Sequence, residues 1–223
     1  MGMLLLNPSK VLVMNDKKLA ILGASGHGKV VADLAEQLGY SIQFYDDAYP
    51  NKTMIEHWSI EGTFDDLLML DSTQTDVAVA IGHNKTRQQK ISLLLDEDFT
   101  IPTLIHPSAV VSQYAKIQQG CVIFAGAVVN AFADIGKGVI INSSAVVEHD
   151  CSIGDFSHIC PNTALAGGVI VGTGCWLGIG SQVKQLVELG DYCLIGAGST
   201  VLKNIPSHVT AFGSPAIVKQ HHN

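Results

Sequence analysis

The chain has 223 residues, a formal net charge of −7, and 47% hydrophobic against only 15% charged residues. That is enough chain for one large domain or two modest ones. The acidic balance without a basic patch excludes nucleic acid and anionic membrane surfaces as partners, but leaves open a nucleotide held by backbone amides. No apolar run approaches the roughly 18 residues of a membrane span. The five cysteines are odd in number and lack metal-type spacing, which points to a reduced, cytoplasmic protein.

Residues 1–16 open with Met1-Gly2-Met3-Leu4-Leu5-Leu6. They are too short an apolar run for a signal-peptide core and have no basic residue before it. They read as a leader or linker, or as the tail of a fused upstream domain. Residues 17–104 then alternate strands and helices. Lys18–Leu22 is an apolar strand closed by Gly23, and Val30, Val31, Leu34, Ala35 and Leu38 recur at helical spacing up to Gly39. Ile42–Tyr45 is a second strand ending in Asp46-Asp47. Phe64–Leu70 is a short helix, Val77–Ile81 a third strand, and Asn84–Leu95 a helix capped by Asn84. This βαβαβ order predicts an α/β, Rossmann-like domain with a parallel sheet.

The stretch Gly23-Ala24-Ser25-Gly26-His27-Gly28-Lys29 follows a strand and opens a helix, where backbone amides can meet an anion. It is not a P-loop, because Val30 stands where the magnesium-binding hydroxyl belongs, and it is not the Gly-x-Gly-x-x-Gly of dinucleotide enzymes. Asp46, Asp47, Gly82 and Asn84 close the second and third strands at the same sheet edge, suited to the sugar and base of a nucleotide.

From Ile105 the grammar changes. Every sixth residue up to Val201 is Ile, Val or Leu, and the residue two before each is small or β-branched. Neither a 3.6 nor a 2.0 period explains a strict six. One large and one small inward residue per six is the requirement of a triangular coil of 18 residues, stacked about 4.8 Å apart. Residues 105–203 are therefore expected to form an all-β parallel β-helix, followed by a tail at 204–223. Cys121, Cys151, Cys175 and Cys193 fall on the small inward position and read as core filler. Cys160 lies outside it, with nothing nearby to activate it.

Outward residues carry the chemistry. Glu148-His149-Asp150 follows inward Val147. An imidazole beside a carboxylate is a natural general base at neutral pH. Asn142 is placed to donate to a substrate or to His149, and His158 lies half a coil from His149. Gly167-Gly168 exposes backbone amides, and Ala211-Phe212-Gly213-Ser214-Pro215-Ala216 follows the repeat.

Taken in order, the Gly-rich turn, Asp-Asp, Gly-x-Asn, hexapeptide repeat, Glu-His-Asp and Gly-x-Pro-Ala span almost the whole chain. The set resembles the bacterial sugar O- and N-acyltransferases of the sialic acid O-acetyltransferase (NeuD) type, and most of all the PglD-type UDP-4-amino-sugar N-acetyltransferases. The resemblance implies a left-handed β-helix and a homotrimer with active sites between subunits, and it makes fusion to, or association with, a membrane glycosyltransferase an expected arrangement for residues 1–16. It implies acetyl-CoA as co-substrate, no metal, and a UDP-amino-sugar acceptor on the way to UDP-N,N'-diacetylbacillosamine. By motif, His149 is the base and Asp150 its orienting partner. Gly23, Gly26, His27, Gly28, Asp46, Asp47, Gly82, Asn84 and Asn142 meet the nucleotide sugar. His158, Gly167, Gly213, Pro215 and Ala216 meet coenzyme A. O-acetylation of a sialic acid or other sugar hydroxyl is the alternative. A γ-type carbonic anhydrase is disfavoured, because the repeat offers too few histidines to converge on zinc.

Overall fold

A computed structural model describes residues 18–222; the leader expected at 1–16 lies outside them. The N-terminal part is a five-stranded sheet. Its elements are β1 (Lys18–Leu22), α1 (Gly26–Gln37), β2 (Ser41–Tyr45), β3 (Met54–Ile55), β4 (Trp58–Gly62), α2 (Phe64–Leu68), β5 (Thr75–Val79) and α3 (Asn84–Asp96). The strand order is β3-β4-β2-β1-β5. The core pairings of β1 with β2 and β5, and of β2 with β4, are parallel. The β3–β4 hairpin is an addition to the expected βαβαβ pattern. Its antiparallel pairing brings β4 in beside β2.

Side-chain alternation along β1 divides the core. Leu19 and Ile21 pack under α1, while Ala20 and Leu22 pack toward α2 and α3. Thr63 caps α2 in a reciprocal capping box with Asp66. The cap of α3 differs from expectation: His83 is the N-cap, its ring accepting from the Thr86 N–H, and Asn84 is the first helical residue. Asn84's side chain is drawn away from the helix end by carbonyls of the β-helix, as described below.

From Leu104 onward the chain winds as a parallel β-helix of two-residue strands in three sheets, with partners 18 residues apart. The first face carries Val122–Ile123, Ile140–Ile141, His158–Ile159, Trp176–Leu177 and Leu194–Ile195. The second carries Val128–Val129 and Val146–Val147, and the third Asp134–Ile135 and Ser152–Ile153. The inward ladder is almost completely buried from Ile123 to Val201, so the core is a column of aliphatic side chains stacked coil on coil. Every sixth residue from Gly120 to Gly198 has φ between +54° and +73°. These are the corners. About half are glycine, and Phe132, Asp150, Leu186 and Tyr192 are among those that accept the left-handed conformation despite a side chain, at about 1–2 kcal/mol each.

The small inward position does more than fill space. Cys121, Cys151, Ser157, Thr163 and Cys175 each donate to the carbonyl fifteen residues on, at 3.0, 3.3, 2.8, 3.1 and 3.0 Å. The tail is also structured. Val209–Gly213 pairs in parallel with Leu194–Ile195 and turns back through Ala216–His221, extending the first face by a hairpin. No described helix is long and apolar enough to cross a membrane.

The N-terminal domain docks on the first face. Leu104, Val122, Phe124 and Ile140 join the α1-side core, and Phe156 at the next corner joins the other. This orientation decides which parts of the site one chain can bring together.

Candidate active site

His149 and Asp150 sit at the corner between the second and third faces, after Val146–Val147 and before Ser152–Ile153. His149 Nδ1 and Asp150 Oδ2 are 2.7 Å apart, and the side chains are 64% and 63% exposed. With Nδ1–H donating to the carboxylate, the ring presents its lone pair at Nε2. Asp150's left-handed φ of 60° turns its side chain back along the chain toward the ring. Glu148, the other flanking acid, is committed elsewhere, accepting from Asn130 Nδ2 at 2.9 Å. Gly167, one coil on, forms the floor. A β-carbon there would stand 2.6 Å from both Cε1 and Nε2 of His149, so only glycine leaves the imidazole its seat.

A second group lies on the first face, under the N-terminal domain. His158 is 5% exposed, and Asn142 Nδ2 donates to its Nε2 at 2.9 Å. Asn142 therefore serves His158 and not His149; the two are outward neighbours on adjacent coils of one face. The ring of His27, from the first turn of α1, lies 6.3 Å from that of His158 and edge-on to Phe124 at 5.5 Å. Burial, then the positive charge of Arg87, holds His27 at a pKa of about 4. Burial, then Arg87 and His27, holds His158 at about 3. Both imidazoles are neutral at physiological pH, and His27 Nε2 and His158 Nδ1 are buried without a hydrogen-bond partner. A cavity of about 420 Å³ opens beside His158, bounded by Asn142, Cys160, Trp176, Ile179 and Ala197 among others. Burial pushes the Cys160 thiol up to about 12, which removes it as a nucleophile.

Arg87 is the residue sequence reasoning missed. It is 1% exposed and crosses between the domains. It donates to the carbonyls of Ile81 (3.1 Å), Gly82 (2.9 Å), Gly138 (3.0 Å) and Phe156 (2.5 Å), and to Asn84 Oδ1 (2.9 Å). Asn84 in turn donates to the carbonyls of Gly174 and Cys175, at 3.0 and 2.8 Å. Both ends of the Asn84 amide are thus engaged in holding the domains together. The signal was present in the spacing: Arg87, Ile91 and Leu94 recur at i, i+4 and i+7, and all three are buried.

At the carboxyl edge of the sheet, Gly23, Asp46, Asp47, Gly82, Thr86 and Lys90 surround a cavity of about 270 Å³. Asp46 accepts from the backbone N–H groups of Ala24 (2.7 Å) and Ala48 (2.9 Å), and Asp47 from that of Phe64 (3.1 Å). These bonds fix the two carboxylates at the rim. Gly28 lies hard against the Gly23 carbonyl, whereas Gly26 has nothing within 4 Å of where a β-carbon would stand. The approach to the start of α1 is therefore open. Lys29 pairs with Glu56.

At the far end of the first face, Gly213, Pro215 and Ala216 form the hairpin turn. Gly213 N–H donates to Ser199 Oγ at 3.2 Å, so the turn packs against the last coil.

The family model described as "PglD N-terminal domain" matches residues 18–94. The structure is similar to the acetyltransferase domain of PglB from Neisseria gonorrhoeae FA1090, solved in complex with acetyl coenzyme A. The TM-score is 0.88 and the identity 39%, over 92% of this chain and 100% of that one. It is also similar to PerB from Caulobacter crescentus, solved in complex with CoA and GDP-perosamine. Here the TM-score is 0.86 and the identity 36%, over 91% and 97% of the two chains. A galactoside O-acetyltransferase of Lactococcus lactis is 50% identical over 48 residues. The chain spans only about a quarter of the length of such curated relatives, 23% in that case and 26% in a UDP-N-acetylglucosamine O-acyltransferase of Pseudomonas entomophila. With a βα sheet domain, a three-faced β-helix and near-complete alignment to PglB's acetyltransferase domain, the chain belongs to the bacterial sugar acetyltransferases of the hexapeptide-repeat family.

Proposed function

We propose that the protein transfers the acetyl group of acetyl-CoA to the 4-amino group of a UDP-4-amino-4,6-dideoxy-N-acetylhexosamine, giving a UDP-N,N'-diacetylbacillosamine-type product. The observation that carries this reading is the His149–Asp150 pair: an exposed imidazole whose Nδ1 is 2.7 Å from a carboxylate and whose ring lies over a glycine. His158 is too weak a base for this role, because burial and Arg87 hold it at about 3. Its neutral ring instead suits a hydrogen bond to the donor's acetyl group.

The sugar amine attacks the thioester carbonyl directly. His149 Nε2 takes the proton as the C–N bond forms, Asp150 stabilises the resulting imidazolium, and as the C–S bond breaks that imidazolium returns the proton to the sulfur, so coenzyme A leaves as the thiol. Alignment of two bound substrates supplies much of the rate. The nucleotide occupies the cavity at Gly23, Asp46, Asp47 and Gly82, with its diphosphate at the open start of α1 by Gly26, His27 and Gly28. The donor lies along the first face from His158 toward Gly213, Pro215 and Ala216, with Gly167 of the neighbouring subunit beside the pantetheine arm. PglB's acetyltransferase domain with acetyl coenzyme A and PerB with CoA and GDP-perosamine support both ligand classes.

Topology supports a shared site. The corner bearing His149 joins the second and third faces, across the prism from the first face, where the N-terminal domain, His27 and His158 lie. One chain cannot place its own His149 beside its own nucleotide cavity, so a neighbouring subunit of a homotrimer supplies the base. Tyr114 and Phe132, stacked at 5.5 Å and both exposed, sit on the same edge as His149 and offer an apolar contact for that neighbour.

The test is thiol release from acetyl-CoA with a panel of UDP-, GDP- and dTDP-linked amino sugars and their hydroxyl counterparts, the product identified by mass and by resistance of the amide to mild base. Turnover with the UDP-4-amino sugar is expected. Turnover confined to hydroxyl acceptors would replace this reading by O-acetylation, which uses the same base.

A further inference from the structure

The outward ladder of the first face changes character as it descends. Leu104, Val122 and Ile140 are buried against the N-terminal domain. His158 follows, then Trp176 and Leu194, paired in register one coil apart. The indole of Trp176 meets the His158 ring edge-on, with centroids 4.5 Å apart.

Two cavities flank this indole. The first, of about 420 Å³, is the one beside Asn142 and His158. The second, of about 250 Å³, opens between the start of α3 at His83 and Lys85, the corner residue Tyr192, and His222 of the terminal hairpin. Among the described residues, Trp176 and Leu194 are the only ones common to both linings. They form a partition two side chains wide, between the cavity assigned to the thioester and an unassigned space behind it.

We propose that Trp176, backed by Leu194, sets the acyl length this enzyme accepts: the indole closes the acyl end of the donor cavity beside His158, and without it that cavity runs on into the second and takes longer linear acyl groups. The inference rests on the reading of the His158 cavity as the thioester site. The physical basis is the stiffness of the wall. A tryptophan on a two-residue strand, paired in register between coils and set edge-on against a buried histidine, cannot swing aside for an added methylene without losing that packing. A pocket of this kind discriminates by roughly ten-fold or more per methylene. Removing the wall abolishes the discrimination, whereas shifting a surface contact would not.

The experiment compares kcat/KM for acetyl-, propionyl-, butyryl- and hexanoyl-CoA in the full-length protein and in Trp176→Val, which keeps a strand-compatible side chain. The wild-type protein should fall by roughly ten-fold or more at each added methylene from propionyl onward. In Trp176→Val the butyryl-to-acetyl ratio should rise by about ten-fold or more, with acetyl-CoA itself used less well. A ratio within about two-fold of wild type in a folded variant overturns the proposal. Leu194→Ala, an exposed position whose truncation leaves the coil intact, tests the same wall and must shift the ratio in the same direction; an unchanged ratio there overturns it as well. Failure of the wild-type protein to acetylate any nucleotide amino sugar would sink the functional reading instead. In that case calorimetric affinities for acetyl- and hexanoyl-CoA decide the inference: they must converge in Trp176→Val, and an undiminished preference for acetyl-CoA refutes it.

Discussion

His149 and His158 lie nine residues apart, and their surroundings separate them chemically. His149 stands on an exposed corner with a carboxylate on one ring nitrogen and a glycine beneath it. His158 is buried next to Arg87's charge and receives an amide N–H from Asn142. Replacing His149 by Ala should lower kcat by roughly 10²–10⁴ while leaving the KM for acetyl-CoA and the thermal midpoint near wild type, since the side chain adds no core packing. Gly167→Ala is the subtler probe. The new β-carbon would overlap the imidazole, so the ring must swing out, and kcat should drop on the order of 10² with the fold intact, read by steady-state kinetics beside a circular dichroism melt. His149 and Asp150 were legible from the sequence because the repeat says which residues point outward. The partner of Asn142 was not. The coil length of 18 suggests vertical stacking, but Asn142 follows an inward residue and His158 precedes one, so they meet diagonally across adjacent strands.

At the scale of elements, α3 does the least expected thing. Its buried stripe begins with an arginine, and that arginine bonds four carbonyls drawn from both domains. Arg87→Met would strand those acceptors in a site closed to water. At about 1–3 kcal/mol for each buried acceptor left unmet, the variant should lose about 3 kcal/mol or more of stability in urea titration. Arg87→Lys should restore only part of it, because an ammonium has three donors in place of a planar fork of five. The β-helix itself was fully readable, since its period leaves no slack: a one-residue slip would turn the inward ladder outward. The β3–β4 hairpin was not, because its strands are short, its turn is the polar pair Glu56-His57, and Glu56 takes a left-handed φ of 51° that no glycine announces. The terminal hairpin was likewise hidden, because the pairing of Val209–Gly213 with Ala216–His221 replaces the hexapeptide period with ordinary antiparallel alternation.

Over the whole molecule, the docking of a sheet domain on one face of a prism has an acid-stability signature. His27 and His158 titrate near 4 and 3 when folded, against 6.5 for an unperturbed histidine. Between those values the unfolded chain binds protons that the folded one refuses. The stability contributed by keeping these rings neutral is therefore complete above about pH 6.5, and is lost as pH falls, at up to about 1.4 kcal/mol per pH unit for each histidine. Urea midpoints measured from pH 7.5 down to 5 should decline across this window, and His27→Gln should flatten the slope. A midpoint independent of pH would mean that neither ring is buried neutral between the domains.

His149 and the cavity at Asp46 and Asp47 lie on opposite sides of each chain, and under the proposed function this permits genetic complementation. A protein crippled at His149 and one crippled at the rim, for instance by Asp46→Ala, are each dead when alone. Mixed within one assembly, the intact histidine of one polypeptide meets the intact rim of the other, and about one catalytic centre in four should revive under random threefold mixing. Combining both lesions in a single gene alongside a wild-type copy leaves about one centre in four if neighbours share the site, but about one in two if each chain builds its own, so the pair of recoveries reports how the polypeptides are arranged around the axis without any need to see it.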